Sequence, residues 1–147
     1  MIFHGKWFEE LNLGQTFGSS LTITEAHLVL GAGLFGDFNP LHVNEAYAKK
    51  TRFGSRILHG PFTGALMSAS IGMFFSGTAI AYLQHDCKFL SPIRAGDTVT
   101  TKWTITELIS KSQKNAGIVT MYGECTQDNG DVAAQANGKI LISCKPA

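Results

Sequence analysis

The chain has 147 residues, of which 44% are hydrophobic, and its 12 Lys plus Arg against 11 Asp plus Glu leave a net charge of +1. That length suits one compact domain, residues 1–147, with an ordinary core. The charge balance gives no basis for a nucleic-acid or anionic-membrane partner, so any anionic ligand has to be met by a local patch. Three cysteines, Cys87, Cys125 and Cys144, are odd in number and lack metal-ligand spacing, which favours reduced packing residues, a reducing compartment and no metal site. Met1 to Gly14 lacks the apolar run of a secretory signal, so a cytoplasmic location is expected.

In chain order, Gln15 to Ile23 reads as a short strand. A helix follows near Thr24, where Thr22 and Glu25 have capping-box spacing. Gly31, Gly33 and Gly36 match the dinucleotide pattern G-x-G-x-x-G, but that pattern needs a helix directly after the glycines, and Asp37-Phe-Asn-Pro follows instead. No nicotinamide, flavin or other cofactor is expected, and the glycines read as close-packing positions. Asp37 and His42 would be separated by roughly 140° of arc on a helix, and Pro40 disfavours a regular interior. A turn is therefore the expected carrier, with Asn39 before proline held extended and the carboxylate and imidazole aimed at one point.

Pro61 suits the first residue of the next helix, where its missing N–H costs nothing. Gly64, Ser68 and Gly72 recur every four residues along it, and Leu66, Met67, Ile71, Met73, Phe74 and Phe75 cover its other faces, as in a core helix wrapped by other elements. The clean apolar part, Pro61 to Phe75, is shorter than the roughly 20 residues a bilayer requires. Ala79 to Leu90 is read as a strand. Period-two alternation then predicts three more: Val99, Thr101, Trp103 and Ile105; Val119, Met121, Gly123 and Cys125; and Val132 to Ile142, the last two joined at Asp128-Asn129-Gly130. An α+β fold results, with a five-stranded antiparallel sheet around one helix. The edge strand left exposed calls for a second copy of the chain, in a homodimer or a dimer of dimers.

Gly36-Asp37-x-Asn39-Pro40-x-His42, followed by His59-Gly60, closely resembles the hydratase motif of the MaoC-like, (R)-specific enoyl-CoA hydratase family. Phe89 to Asp97 is also similar to that family's strand-turn-strand, so the resemblance covers nearly the whole chain. It implies the hotdog fold with a catalytic overhang segment, usually dimeric, and an acyl-CoA substrate. By the same resemblance Asp37 and His42 are the catalytic pair, Gly60 N–H is the thioester donor and Ser68 lies near the site. Asn44 stands where an acidic residue is frequent, and Pro61 replaces a residue that would have offered a further N–H. Adding water to a double bond conjugated with a thioester needs a base, an acid and a donor for the enolate oxygen, and these residue types supply all three. Asn39, Phe38, Phe62 and Leu34, together with Phe35, Phe53 and Leu66, are candidates for the acyl pocket or its neighbourhood. Arg56, with Lys49, Lys50 and Arg52, is a candidate for the coenzyme A phosphates, against a solvated basic face as the other reading. His59 is read as a brace for the loop before Gly60. Alternatives on the same fold are a carrier-protein dehydratase, a non-catalytic acyl-thioester binder, and a thioesterase, which commonly places a carboxylate on the central helix; Pro61 to Phe75 has none.

Overall fold

The computed structural model describes residues 5–146, leaving Met1 to His4 and Ala147 outside the description. A short 3-10 turn at Phe8–Glu10 leads into strand β1 (Thr16–Thr22) and helix α1 (Glu25–Phe35). Two single-turn helices, α2 (Pro40–Val43) and α3 (Glu45–Ala48), precede the long helix α4 (Gly60–Phe74). Strands β2 (Ala79–Phe89), β3 (Thr98–Lys111), β4 (Ala116–Gln127) and β5 (Val132–Ser143) complete the chain. The five strands form one antiparallel sheet in the order β1-β3-β4-β5-β2.

Alternation explains why β3, β4 and β5 form one buried sheet surface. Val99, Trp103 and Ile105 of β3, Val119, Met121 and Cys125 of β4, and Ala134, Ala136, Ile140 and Ile142 of β5 all point inward. Onto them pack Met67, Ile71 and Phe75 from α4 and the end of its turn. The β4–β5 connection closes at Asp128-Asn129-Gly130, where Gly130 has φ 90°, a left-handed conformation that suits glycine. Trp103 ties helix to sheet. Its indole N–H donates to the Met67 carbonyl at 3.0 Å and to Ser70 Oγ at 3.1 Å, so a fully buried donor is satisfied by the helix it supports. The ring lies over Gly123, where an added Cβ would fall 2.6 Å from the indole.

Three local readings of the sequence need correction. The cap of α1 is Thr24 with His27, whose Nδ1 accepts from the Thr24 N–H at 2.9 Å, and not Thr22 with Glu25. Thr22 closes β1 instead, its hydroxyl paired with that of Thr98. Pro40 starts a helix where it was expected to prevent one, because at the first helical position a missing N–H has no acceptor to lose. Gly60 is the first residue of α4 and Pro61 the second, with His59 at the cap. The glycine pattern lies mostly inside α1, which Gly36 ends in the left-handed conformation at φ 68°.

Strand β2 departs from the alternation of its neighbours. Ile80, Tyr82 and Leu83 are exposed on this sheet edge, and the adjacent face of α4 leaves Ala65, Ala69, Gly72 and Met73 uncovered. Tyr82 Oη and His85 Nδ1 are 2.7 Å apart, and His85 Nε2 is buried near Gly64 without a hydrogen-bond partner. Burial pushes the Tyr82 hydroxyl up to about 12. It also holds His85 below the usual imidazole range, against a weaker opposing pull from Asp86.

Two stability predictions follow from these contacts. Gly123→Ala is expected to destabilise by about 1–3 kcal/mol through overpacking against Trp103, measured by urea unfolding. A histidine whose folded value lies below its unfolded value of about 6.5 leaves the unfolded chain binding more protons, so stability falls as pH drops below that value. His85→Gln is therefore expected to flatten the decline of the unfolding midpoint below pH 6.5 or so, read by thermal melts across pH.

Candidate active site

The segment leaving α1 builds the site from short-range hydrogen bonds. Asp37 Oδ1 accepts from the Asn39 N–H at 3.1 Å, and Asn39 Oδ1 accepts from the Leu41 N–H at 3.0 Å, capping α2. These two side chains set the direction of the turn, which delivers His42 from the single turn of α2. Asp37 itself lies outside the helix, so the helical arc between the two residues does not apply. Asn44 repeats the device, accepting from the Tyr47 N–H at 3.0 Å and starting α3.

His42 Nδ1 lies 2.8 Å from the Ile57 carbonyl oxygen. A carbonyl only accepts, so Nδ1 carries a proton, and in the singly protonated ring Nε2 presents a lone pair. Nε2 is 3.8 Å from Asp37 Oδ2. That is too long for a direct hydrogen bond. Two acceptors facing each other across such a gap are placed to share a donor such as water. The imidazole is 11% exposed and the carboxylate 50%, so the pair opens outward on the Asp37 side.

His59, at 1% exposure, is the third titratable side chain of this cluster. Its Nε2 donates to the Asp37 carbonyl at 2.9 Å, and its ring stacks on His42 with centroids 3.7 Å apart. Asp37, His42 and His59 can be read as a two-histidine, one-carboxylate cation cluster. The hydrogen bonds argue otherwise, since Nε2 of His59 and Nδ1 of His42 each spend their proton on a carbonyl; His42 Nε2 is left facing Asp37 Oδ2, while the free Nδ1 of His59 faces Gly31 of α1.

Directly after His59 comes Gly60, which as the first helical residue has no intrahelical acceptor for its N–H. It lines a cleft of about 290 Å³ with Arg52, Phe53, Leu58, Thr63, Phe89 and Pro92. The Phe89 ring lies 3.2 Å from where a Cβ on Gly60 would sit. Asp37 and His42 are not in this cleft's wall; they connect to it through Ile57 to Gly60.

The other sequence candidates lie elsewhere. Arg56 is not a cleft residue: its Nε donates to Glu45 at 3.1 Å and its terminal nitrogen to Glu25 at 2.7 Å. Those bonds hold Glu45 below the usual carboxylate range and raise Arg56. Arg52, over the Phe53 ring at 5.0 Å, is the cation beside Gly60. Leu34 and Phe38 are exposed, while Phe62 packs edge-on to His27 and Phe35. Ser68 Oγ donates to the Ala65 carbonyl and lines a separate groove with Gly72, Ile80 and Tyr82. Sequence reading passed over Phe89 as a site residue; its place opposite Gly60 in β2 comes from the sheet register.

A central helix against a five-stranded antiparallel sheet, with a carboxylate–imidazole pair beside the helix N-terminus, defines a hotdog-fold protein with a candidate proton-transfer site. Residues 10–124 match the MaoC like domain, and the chain belongs to that family. An (R)-specific enoyl-CoA hydratase of Rhodospirillum rubrum is 35% identical over 145 residues, covering 99% of this chain and 96% of that protein. A 3-hydroxybutyryl-CoA dehydratase of Methylorubrum extorquens is 36% identical over 108 residues, covering 74% of this chain and 69% of that protein. The unliganded structure of an R-hydratase of Pseudomonas aeruginosa superposes with a TM-score of 0.84 at 31% identity, covering 95% of this chain and 86% of that one.

Because its guanidinium is consumed by two carboxylates, Arg56 is expected to act on stability. Arg56→Ala should lower the thermal unfolding midpoint, more at low than at high salt, while leaving the KM for acyl-CoA within about two-fold.

Proposed function

We propose that the protein hydrates trans-2-enoyl-CoA to (R)-3-hydroxyacyl-CoA and catalyses the reverse dehydration, as a carbon–oxygen lyase acting as one hotdog domain. The observation that carries this reading is the facing pair of acceptors, Asp37 Oδ2 and His42 Nε2, 3.8 Å apart and tied through His59 to Gly60. Water held between the two gives a proton to one member as its oxygen attacks C3 of the enoyl group. The electron pair of the double bond moves into the thioester, and the enolate oxygen meets the Gly60 N–H at the positive end of α4. Protonation at C2 from the pair completes the addition. The names of the relatives from Rhodospirillum rubrum and Methylorubrum extorquens support the substrate class and the two directions. Among the described residues no helix is long and apolar enough to cross a membrane. That is compatible with a cytoplasmic reaction.

Arg52 replaces Arg56 as the cation we assign to the coenzyme A phosphates, since it stands at the cleft that Gly60 lines. A homodimer formed along the β2 edge accounts for two bare surfaces at once, the exposed Ile80, Tyr82 and Leu83 and the uncovered face of α4. A thioesterase is disfavoured because α4, Gly60–Phe74, contains no carboxylate.

Asp37→Asn and His42→Ala are each expected to lower kcat/KM by about 10²–10⁴-fold, followed as loss of enoyl-thioester absorbance. Turnover surviving either substitution unchanged, or release of free thiol matching hydration in rate, would overturn the proposal.

A further inference from the structure

The chemistry of hydration does not call on His59, yet it is the most buried ionisable side chain of the site and the one whose contacts are most specific. At 1% exposure its ring makes three contacts from three directions. Nε2 donates to the backbone carbonyl of Asp37 at 2.9 Å. One face stacks on His42, with centroids 3.7 Å apart and planes 27° apart. Nδ1 is buried without a hydrogen-bond partner and faces α1, where an added Cβ on Gly31 would fall 2.8 Å away. That Cβ would also lie 3.0 Å from Phe62 Cδ2, and the Phe35 ring stands edge-on to His59 at 5.7 Å. Rings and helix backbone therefore surround the imidazole, leaving it little freedom to yield.

We infer that His59 is a positioning residue: held against Gly31 of α1, it fixes the Asp37 carbonyl and the His42 ring plane so that Oδ2 and Nε2 face each other. The acceptor at Nε2 is a carbonyl, so the ring carries its proton on Nε2 and its lone pair on Nδ1. Nothing near Nδ1 accepts a hydrogen bond, so the opposite tautomer would lose the bond to Asp37 and bury an unpaired N–H. Gly31 is thereby assigned a role as well. It is a helix-interior glycine with ordinary backbone angles, where alanine would favour the helix itself by roughly 1 kcal/mol, so its small size serves His59.

The inference rests on the hydratase reading for its kinetic consequences and on the structure alone for its tautomer. His59→Gln keeps a donor able to reach the Asp37 carbonyl and loses the aromatic face; His59→Phe keeps the face and loses the donor. With a short-chain enoyl-CoA as substrate, His59→Phe is expected to lower kcat about 10- to 100-fold at a KM within about two-fold, as a displaced catalytic group would. His59→Gln should recover most of that loss. Gly31→Ala should lower kcat similarly while leaving the protein folded, which keeps the test decisive if a His59 variant does not fold. Two-bond proton–nitrogen correlation on nitrogen-15-labelled wild-type protein should find the His59 proton on Nε2. Wild-type kcat in Gly31→Ala or His59→Phe overturns the inference, as does a Gln variant no better than Phe, or a ring proton on Nδ1. Absence of turnover in the wild type would sink the hydratase reading, and the tautomer would still decide the placement of His59.

Discussion

Two imidazole-to-carbonyl hydrogen bonds cross between the segment that ends α1 and the segment that begins α4, and the arrangement of the site depends on them. His42, on the first segment, donates to Ile57 on the second, and His59, on the second, donates to Asp37 on the first. Each histidine closes a loop that the other also closes, and the two rings stack where the strands of the tie meet. Neither segment has a regular partner in the sheet, so this reciprocal pairing, with the Ile57 N–H donating to the Leu41 carbonyl at 3.2 Å, joins the Asp37 turn to the segment that leads into Gly60. A water-handling pair and a helix N-terminus become parts of one site through side chains that spend half of their hydrogen-bonding capacity on backbone.

The sheet carries this arrangement at a distance. Trp103 anchors the middle of α4 through the Met67 carbonyl and Ser70, and Leu58 reaches back to the sheet side by donating its N–H to the Ile93 carbonyl at 2.7 Å. The position of Gly60 is thus bounded on one side by the buried helix and on the other by the loop after β2. Arg56 adds a third restraint by clamping Glu25 at the start of α1 to Glu45 at the start of α3.

How much of this could be read from the chain depended on the range of the interaction. Strands β3, β4 and β5 were legible because one face is buried along most of their length, and burial of one face writes a period of two. The extent of β2 was legible but its partial exposure on both faces was not, since its side chains do not alternate. The residues of the Asp37 turn were visible as a motif, whereas its helical continuation from Pro40 was missed because a proline that ends one helix and one that begins another look alike without the cap. Arg56 was left between a phosphate ligand and a solvated basic face because its partners, Glu45 and Glu25, lie 11 and 31 residues away, beyond any local pattern. The exposure of Leu34 was hidden for the same reason, since helix periodicity on α1 does not say which side the rest of the chain will cover, and Phe38 lies in the turn beyond α1, where no periodicity applies.

The register of β1 carries a consequence for the order in which the molecule comes together. Ser20 pairs with Thr100, 80 residues later, and every rung of the β1–β3 ladder spans a similar separation. Closing so long a loop is entropically costly until the hairpins β3–β4 and β4–β5 have formed, since these need only short turns. On a growing chain the strand that leads into α1 must wait for the second half to be synthesised before it has an edge to join. The loop it then encloses, between Thr22 and Thr98, holds Asp37, His42, His59 and Gly60.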